Sequence, residues 1–131
     1  MARASGATPS GLGLHDRAET PAMRRARRRI DAIDRRIVAL LNERTRIGLE
    51  IGVAKAADRR PIRDAQRERE VLLRVAAAND GPLPQADLLG LYRRLMATTR
   101  RLESGARKRE REVRRGEREA RRREREARRA E

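Results

Sequence analysis

From Met23 onward, apolar side chains fall at Ile30, Ile33, Ile37, Leu40, Ile47 and Ile51. The later spacings alternate between three and four, a period near 3.5, and predict one long helix over about 21–57. Thr20-Pro21 supplies its start, with Thr20 as N-cap and Pro21 at the first helical position. No proline interrupts the run, and Gly48 and Gly52 are its only weak points. Asp58-Arg59-Arg60-Pro61 ends it, because the residue before proline is pushed out of the helical region. Asp64 is a suitable N-cap for a second helix over about 65–78, with Val71, Leu72 and Val75 as its apolar positions. The run Asn79-Asp80-Gly81-Pro82-Leu83-Pro84 reads as a turn. A third helix is expected over about 85–103, with Leu88, Leu91, Tyr92, Leu95, Met96 and Leu102 on one side. The fold class is therefore all-α, with three helices per protomer, the first about as long as the other two together.

The flanks follow different rules. Residues 1–20 are rich in Gly, Ala, Ser and Thr and show no apolar period, so they are expected to form a disordered arm. Residues 104–131 are mostly Arg and Glu, with only Val113 and a few alanines between them. Glu–Arg pairs four apart allow partial helicity, but no face is apolar, and a mobile charged tail is expected. The helical domain is thus residues 21–103. Its core is thin, since Tyr92 is the only aromatic residue in the chain. Folding back would leave much of the long helix uncovered, and its coiled-coil-like period points to pairing with a second copy in a homodimer.

Composition narrows the chemistry. The chain has no Cys and a single His, His15, which excludes thiolate metal sites, multi-histidine metal sites and cysteine nucleophiles. No apolar run approaches the roughly 20 residues needed to span a membrane. No secretory h-region is visible at the N-terminus, so a cytoplasmic location is the expectation. The formal net charge is +15. The 28 C-terminal residues contribute +6 of it, from 13 basic and 7 acidic side chains. Such a tail attracts polyanions. Glu is interleaved with Arg throughout, however, and there is no aromatic side chain for base stacking, which argues against nucleic acid as a partner.

Several charges sit where the helical pattern calls for apolar residues. Steps of three and four from Ile30 reach back to Arg27 and forward through Arg44 to Lys55. Asp64 and Glu68 share one face of the second helix, with Arg67 beside them and Val71 and Val75 continuing the line. Thr99 lies on the stripe of the third helix and Glu103 one turn beyond it. Buried cations are costly unless paired. Taken singly, each has a plain explanation, such as a snorkelling Arg or a capping Asp. Together they describe a polar pocket with an excess of cations, which a small ligand carrying two carboxylates would balance.

Five stretches in order also resemble a known family. They are Arg27-x-x-Ile30-Asp31-x-Ile33-Asp34, Leu40-Leu41-x-Glu43-Arg44, Ile51-Gly52-x-x-Lys55, Arg60-Pro61-Ile62-x-Asp64-x-x-Arg67-Glu68 and Thr99-Arg100-Arg101-Leu102-Glu103. Residues 24–103 thereby resemble the all-helical chorismate mutases of the AroQ class, and neither flank is covered. The resemblance implies an intertwined dimer and a cofactor-free rearrangement of chorismate to prephenate in phenylalanine and tyrosine biosynthesis. It implies that Arg27 binds a substrate carboxylate in the partner subunit's site and Arg44 one in its own. Lys55 would donate to the ether oxygen of the breaking C–O bond. Asp64 and Glu68 would meet the ring hydroxyl, Arg67 would support those acids and help bind substrate, and Thr99 would touch a carboxylate.

One position departs from many bacterial members of the family, which carry Gln where this chain has Glu103. A carboxylate cannot donate to the ether oxygen, whereas a protonated Glu can. The expectation is an activity that depends on protonated Glu103 and falls as pH rises. Isochorismate and aminodeoxychorismate are alternative substrates on the same fold, as an isochorismate-pyruvate lyase or an aminodeoxychorismate mutase, and the two acids favour chorismate. A nucleic-acid-binding protein acting through the tail is the alternative from another class. The tail is also a candidate tether for a partner enzyme.

Overall fold

Thr20 caps the first helix as its sequence requires: the Met23 amide donates to Thr20 Oγ1 at 3.2 Å. The computed structural model describes residues 17–131, so His15 and most of the N-terminal arm lie outside the described residues. Three helices account for nearly all of it: α1, Pro21–Ala57; α2, Ala65–Ala78; and α3, Gln85–Ala130. Contacts group the chain into two units, one ending at Leu40 and the other beginning at Leu41.

The first unit is the N-terminal part of α1. Its stripe is exposed: Ile30, Ile33, Ile37 and Leu40 keep between 46% and 60% of their surface open. Arg27 pairs with Glu19 at 2.6 Å, and Arg24 donates to the Glu19 carbonyl.

The second unit holds the rest of α1, then α2 and α3. The end of α1 is closed by two crossed backbone bonds, Arg60 N–H to Lys55 O at 2.8 Å and Arg59 N–H to Ala56 O at 3.1 Å. This Schellman arrangement puts Arg59 in the left-handed region at φ 55°, a place usually taken by glycine. Asp64 caps α2, its Oδ1 accepting from the Arg67 amide at 3.0 Å. The turn to α3 is held by Asn79, whose Oδ1 accepts from Gly81 N–H and whose Nδ2 donates to Leu83 O.

Against the sequence expectation, α3 does not end near residue 103 but continues through the charged segment to Ala130. Arg, Glu and Ala are strong helix formers, and ion pairs four apart reinforce them: Glu110–Arg114, Arg115–Glu119, Arg122–Glu126 and Glu124–Arg128. The thin core is as expected. Met96 is the sole buried large apolar side chain among the described residues, while Ile47, Ile51, Leu91 and Val53 stay exposed.

The left-handed Arg59 generates a stability prediction. Arg59→Gly removes the Cβ clash and should stabilise the chain by about 0.5–1 kcal/mol after the entropy cost of glycine. A thermal melt of the two proteins checks it, with a midpoint a few degrees higher in the variant.

Candidate active site

The C-terminal half of α1 meets α3 at two glycines. A Cβ on Gly48 would stand 2.8 Å from Thr99 Cγ2, and one on Gly52 would stand 2.9 Å from Glu103 Cγ. Real Cβ atoms do not approach so closely, so only glycine permits this contact. Thr99 and Glu103 are buried there, at 8% and 6% exposure.

Beside this contact lies a cavity of about 910 Å³ between α1, the 60–64 loop, α2 and α3. Seven of the eight site residues expected from sequence line it. Arg44 and Lys55 come from α1, Asp64 from the loop, Arg67 and Glu68 from α2, and Thr99 and Glu103 from α3. All belong to the second unit. The eighth, Arg27, belongs to the first unit, where its side chain is 65% exposed and paired with Glu19.

Lys55 is held in place from two sides. Its Nζ donates to Ile62 O at 2.8 Å and lies 3.9 Å from Glu103 Oε2. That Oε2 is buried and makes no hydrogen bond. A buried polar atom without a partner is unusual and costly, and here it borders a cavity. Arg44 sits with its guanidinium carbon 5.7 Å from the Tyr92 ring centroid, within cation–π range. Thr99 Oγ1 donates to Leu95 O at 3.1 Å, which leaves the oxygen able to accept.

Glu68 is gripped by two arginines: Arg100 pairs with its Oε1, and Arg63 lies 3.6 Å from its Oε2. The resemblance gave the support of the acids to Arg67. The Arg67 guanidinium instead pairs with Glu70 at 3.5 Å, and only its amide meets Asp64. Arg100 is the residue that sequence reasoning missed. Its signal was available, because Met96, Arg100 and Glu103 are four and three apart on one face of α3. Asp64 serves as an N-cap while lining the cavity, so its plain and functional roles coexist.

Arg44, Lys55, Arg60, Arg63, Arg67 and Arg100 line the cavity against Asp64, Glu68 and Glu103. The excess of cations over acids favours an anionic ligand with more than one charge. Paired arginines suit planar carboxylates.

Residues 26–104, more than half of the chain, match the family described as chorismate mutase type II. The chain belongs to this family. Chorismate mutase (Form II) from Thermus thermophilus is similar in structure, with a TM-score of 0.62 and 31% identity over 63% of this chain and 94% of that one. The Form I structure of the Thermus protein gives 0.58 at the same identity, over 60% of this chain and 98% of that one. Among curated relatives, the bifunctional chorismate mutase/prephenate dehydratase of Aquifex aeolicus is 34% identical over 79 residues, 57% of this chain and 22% of that protein. The corresponding Escherichia coli protein is 45% identical over 49 residues, 37% of this chain and 13% of its own length. The chain thus spans about a fifth or less of these bifunctional relatives and nearly all of the Thermus mutase. The match ends at residue 104, so the charged continuation of α3 lies outside the type II chorismate mutase domain. No helix among the described residues is long and apolar enough to cross a membrane.

The glycine contact predicts opposite outcomes for two similar substitutions. Gly90→Ala, with nothing within 4 Å of the new Cβ, should stabilise α3 by about 1 kcal/mol through helix propensity. Gly52→Ala should destabilise by about 1–3 kcal/mol despite the same propensity gain, because the Cβ overpacks against Glu103. Chemical denaturation of the two variants beside the parent protein measures both signs.

Proposed function

We propose that the chain is a chorismate mutase, converting chorismate to prephenate in aromatic amino acid biosynthesis without a cofactor. The observation that carries this reading is the pairing of half-buried Lys55 with buried Glu103 at the edge of a cation-rich cavity in a chain of this family. The rearrangement is unimolecular and pericyclic: one C–O bond breaks as one C–C bond forms. It needs no nucleophile, only a compact substrate conformer and stabilisation of the charge that separates. Arg44, steadied by Tyr92, takes one carboxylate and so helps select the conformer. Lys55, fixed by Ile62 O, presents a cation where negative charge grows on the ether oxygen. The unpartnered Oε2 of Glu103, when protonated, donates a second hydrogen bond there. Glu68, oriented by Arg100 and Arg63, accepts from the ring hydroxyl with Asp64, which favours chorismate over analogues lacking that hydroxyl.

The working form is a homodimer on this reading. The exposed row Ile30, Ile33, Ile37 and Leu40 supports it, since a stripe of that length is normally covered. Arg27 then exchanges Glu19 for a substrate carboxylate in the other subunit's cavity.

Chorismate loss and prephenate formation should be followed from acidic to neutral pH. Turnover is expected, and a hydrogen bond donated by the Glu103 carboxyl calls for the faster rate at acidic pH. Glu103→Gln should flatten that profile, and Lys55→Ala should lower kcat by about 10²–10³-fold. No prephenate from chorismate at any pH overturns the reading and directs the same assay to isochorismate and aminodeoxychorismate.

Subunit mixing tests the shared site. Arg27→Ala and Lys55→Ala should each be inactive alone. Unfolded together and refolded, they should regain about a quarter of the parent activity, because half the dimers then carry one intact site. Recovery of none would mean that Arg27 does not complete the partner subunit's site.

A further inference from the structure

Residues 104–131 contain a seven-residue repeat that becomes meaningful once the segment is helical. Arg111–Glu117, Arg118–Glu124 and Arg125–Glu131 read REVRRGE, REARRRE and REARRAE. Arg107, Arg111, Arg114, Arg118, Arg121, Arg125 and Arg128 are therefore four and three apart, and α3 carries them on one face. At 1.5 Å per residue the row is about 32 Å long, with a cation about every 5 Å. The acids are not mixed into it. Glu110, Glu117 and Glu124 form one flanking row and Glu112, Glu119 and Glu126 another, roughly 70° and 130° round the helix. What looks interleaved along the chain is segregated in space.

The row is also largely uncommitted. Arg114 and Arg128 pair with Glu110 and Glu124, but Arg107, Arg111, Arg118, Arg121 and Arg125 form no ion pair among the described residues. At its near end the row enters a second cavity, of about 870 Å³, where Arg107, Arg111 and Arg114 share the lining with Arg59, Arg60 and a single acid, Glu110. Arg107 donates to Arg60 O at 2.9 Å, while its Nε is buried without a partner.

We propose that this arginine row is a docking track for the phosphate backbone of double-stranded nucleic acid. A helix that pairs with another helix puts apolar side chains at these four-three positions, and here they are all Arg. A membrane-surface helix needs an apolar face, and Val113 is the only large apolar residue beyond Glu103. A linear polyanion needs neither. Duplex nucleic acid offers a charge every ~1.7 Å of axis, and guanidinium forks suit its phosphates. The lack of aromatic side chains favours a stacked duplex over splayed single strands. Contacts to phosphate alone give binding without sequence preference.

The test uses the full-length chain and fluorescence anisotropy with a labelled duplex of about 20 bp over a range of salt concentrations. Binding is expected to fall with a log–log salt slope of about −5, as about five or six phosphates are neutralised. Arg111, Arg118, Arg121 and Arg125, all changed to Gln, should weaken binding by at least about tenfold and flatten the slope. The deciding variant keeps the charge at its native value: Glu117→Arg with Arg118→Glu, and Glu124→Arg with Arg125→Glu. It breaks the row without altering composition and should also lose about tenfold. Circular dichroism establishes that each variant remains helical, and chorismate turnover should be unchanged in both. The proposal is overturned if the exchanged variant binds as well as the parent, if the duplex does not bind, or if phosphatidylserine vesicles or polyglutamate bind as tightly as the duplex.

Discussion

The closeness with which α1 lies on α3 at Gly48 and Gly52 governs the second unit. A Cβ at either position would crowd the side chain of Thr99 or Glu103, which would then have to shift. At the observed approach, Glu103 is sealed against the α1 backbone with Lys55 one turn away. The apolar core contributes little to this arrangement, because Met96 alone is buried among the large apolar residues described. Polar groups at a tight backbone contact thus take the place that a hydrophobic core holds in most small domains.

A consequence is that the cavity wall is organised by charge. The cations outnumber the acids, and each acid has a distinct restraint: Asp64 caps α2, Glu68 is held by Arg63 and Arg100, and Glu103 faces Lys55. The remaining positive charge suits an anionic ligand with more than one charge. Arg44, Lys55, Glu68, Arg100 and Glu103 stand on helices, with Arg63 and Asp64 on the short loop before α2. Groups held on helices need little reorganisation on binding, the condition under which electrostatic stabilisation is most effective. Tyr92 shows the same economy, the chain's one aromatic ring serving as a platform for Arg44.

The long α3 combines two unlike surfaces along one helix. Up to Glu103 its inner face packs and lines the cavity; beyond Arg107 the same face becomes a row of arginines. The continuation forms without burying apolar area, since helix propensity and flanking ion pairs suffice for a segment already nucleated by the packed part. The family match stops where this change occurs.

Much was legible in the sequence. The three helices, the Thr20 and Asp64 caps and the break before Pro61 follow from periodicity, proline geometry and side-chain capping, all of which act within a few residues. Spacing also placed Arg44, Lys55, Thr99 and Glu103 on faces that should be dry, and this marked the site. Other features needed the tertiary structure because they depend on atoms far apart in sequence. Gly48 and Gly52 read as weak points in a helix and are its contact surface. Arg100, rather than Arg67, reaches Glu68, since the pairing spans two helices. Interleaved Arg and Glu read as a mobile tail, yet as a helix they separate into rows, because a 3.6-residue turn sorts a seven-residue repeat onto faces.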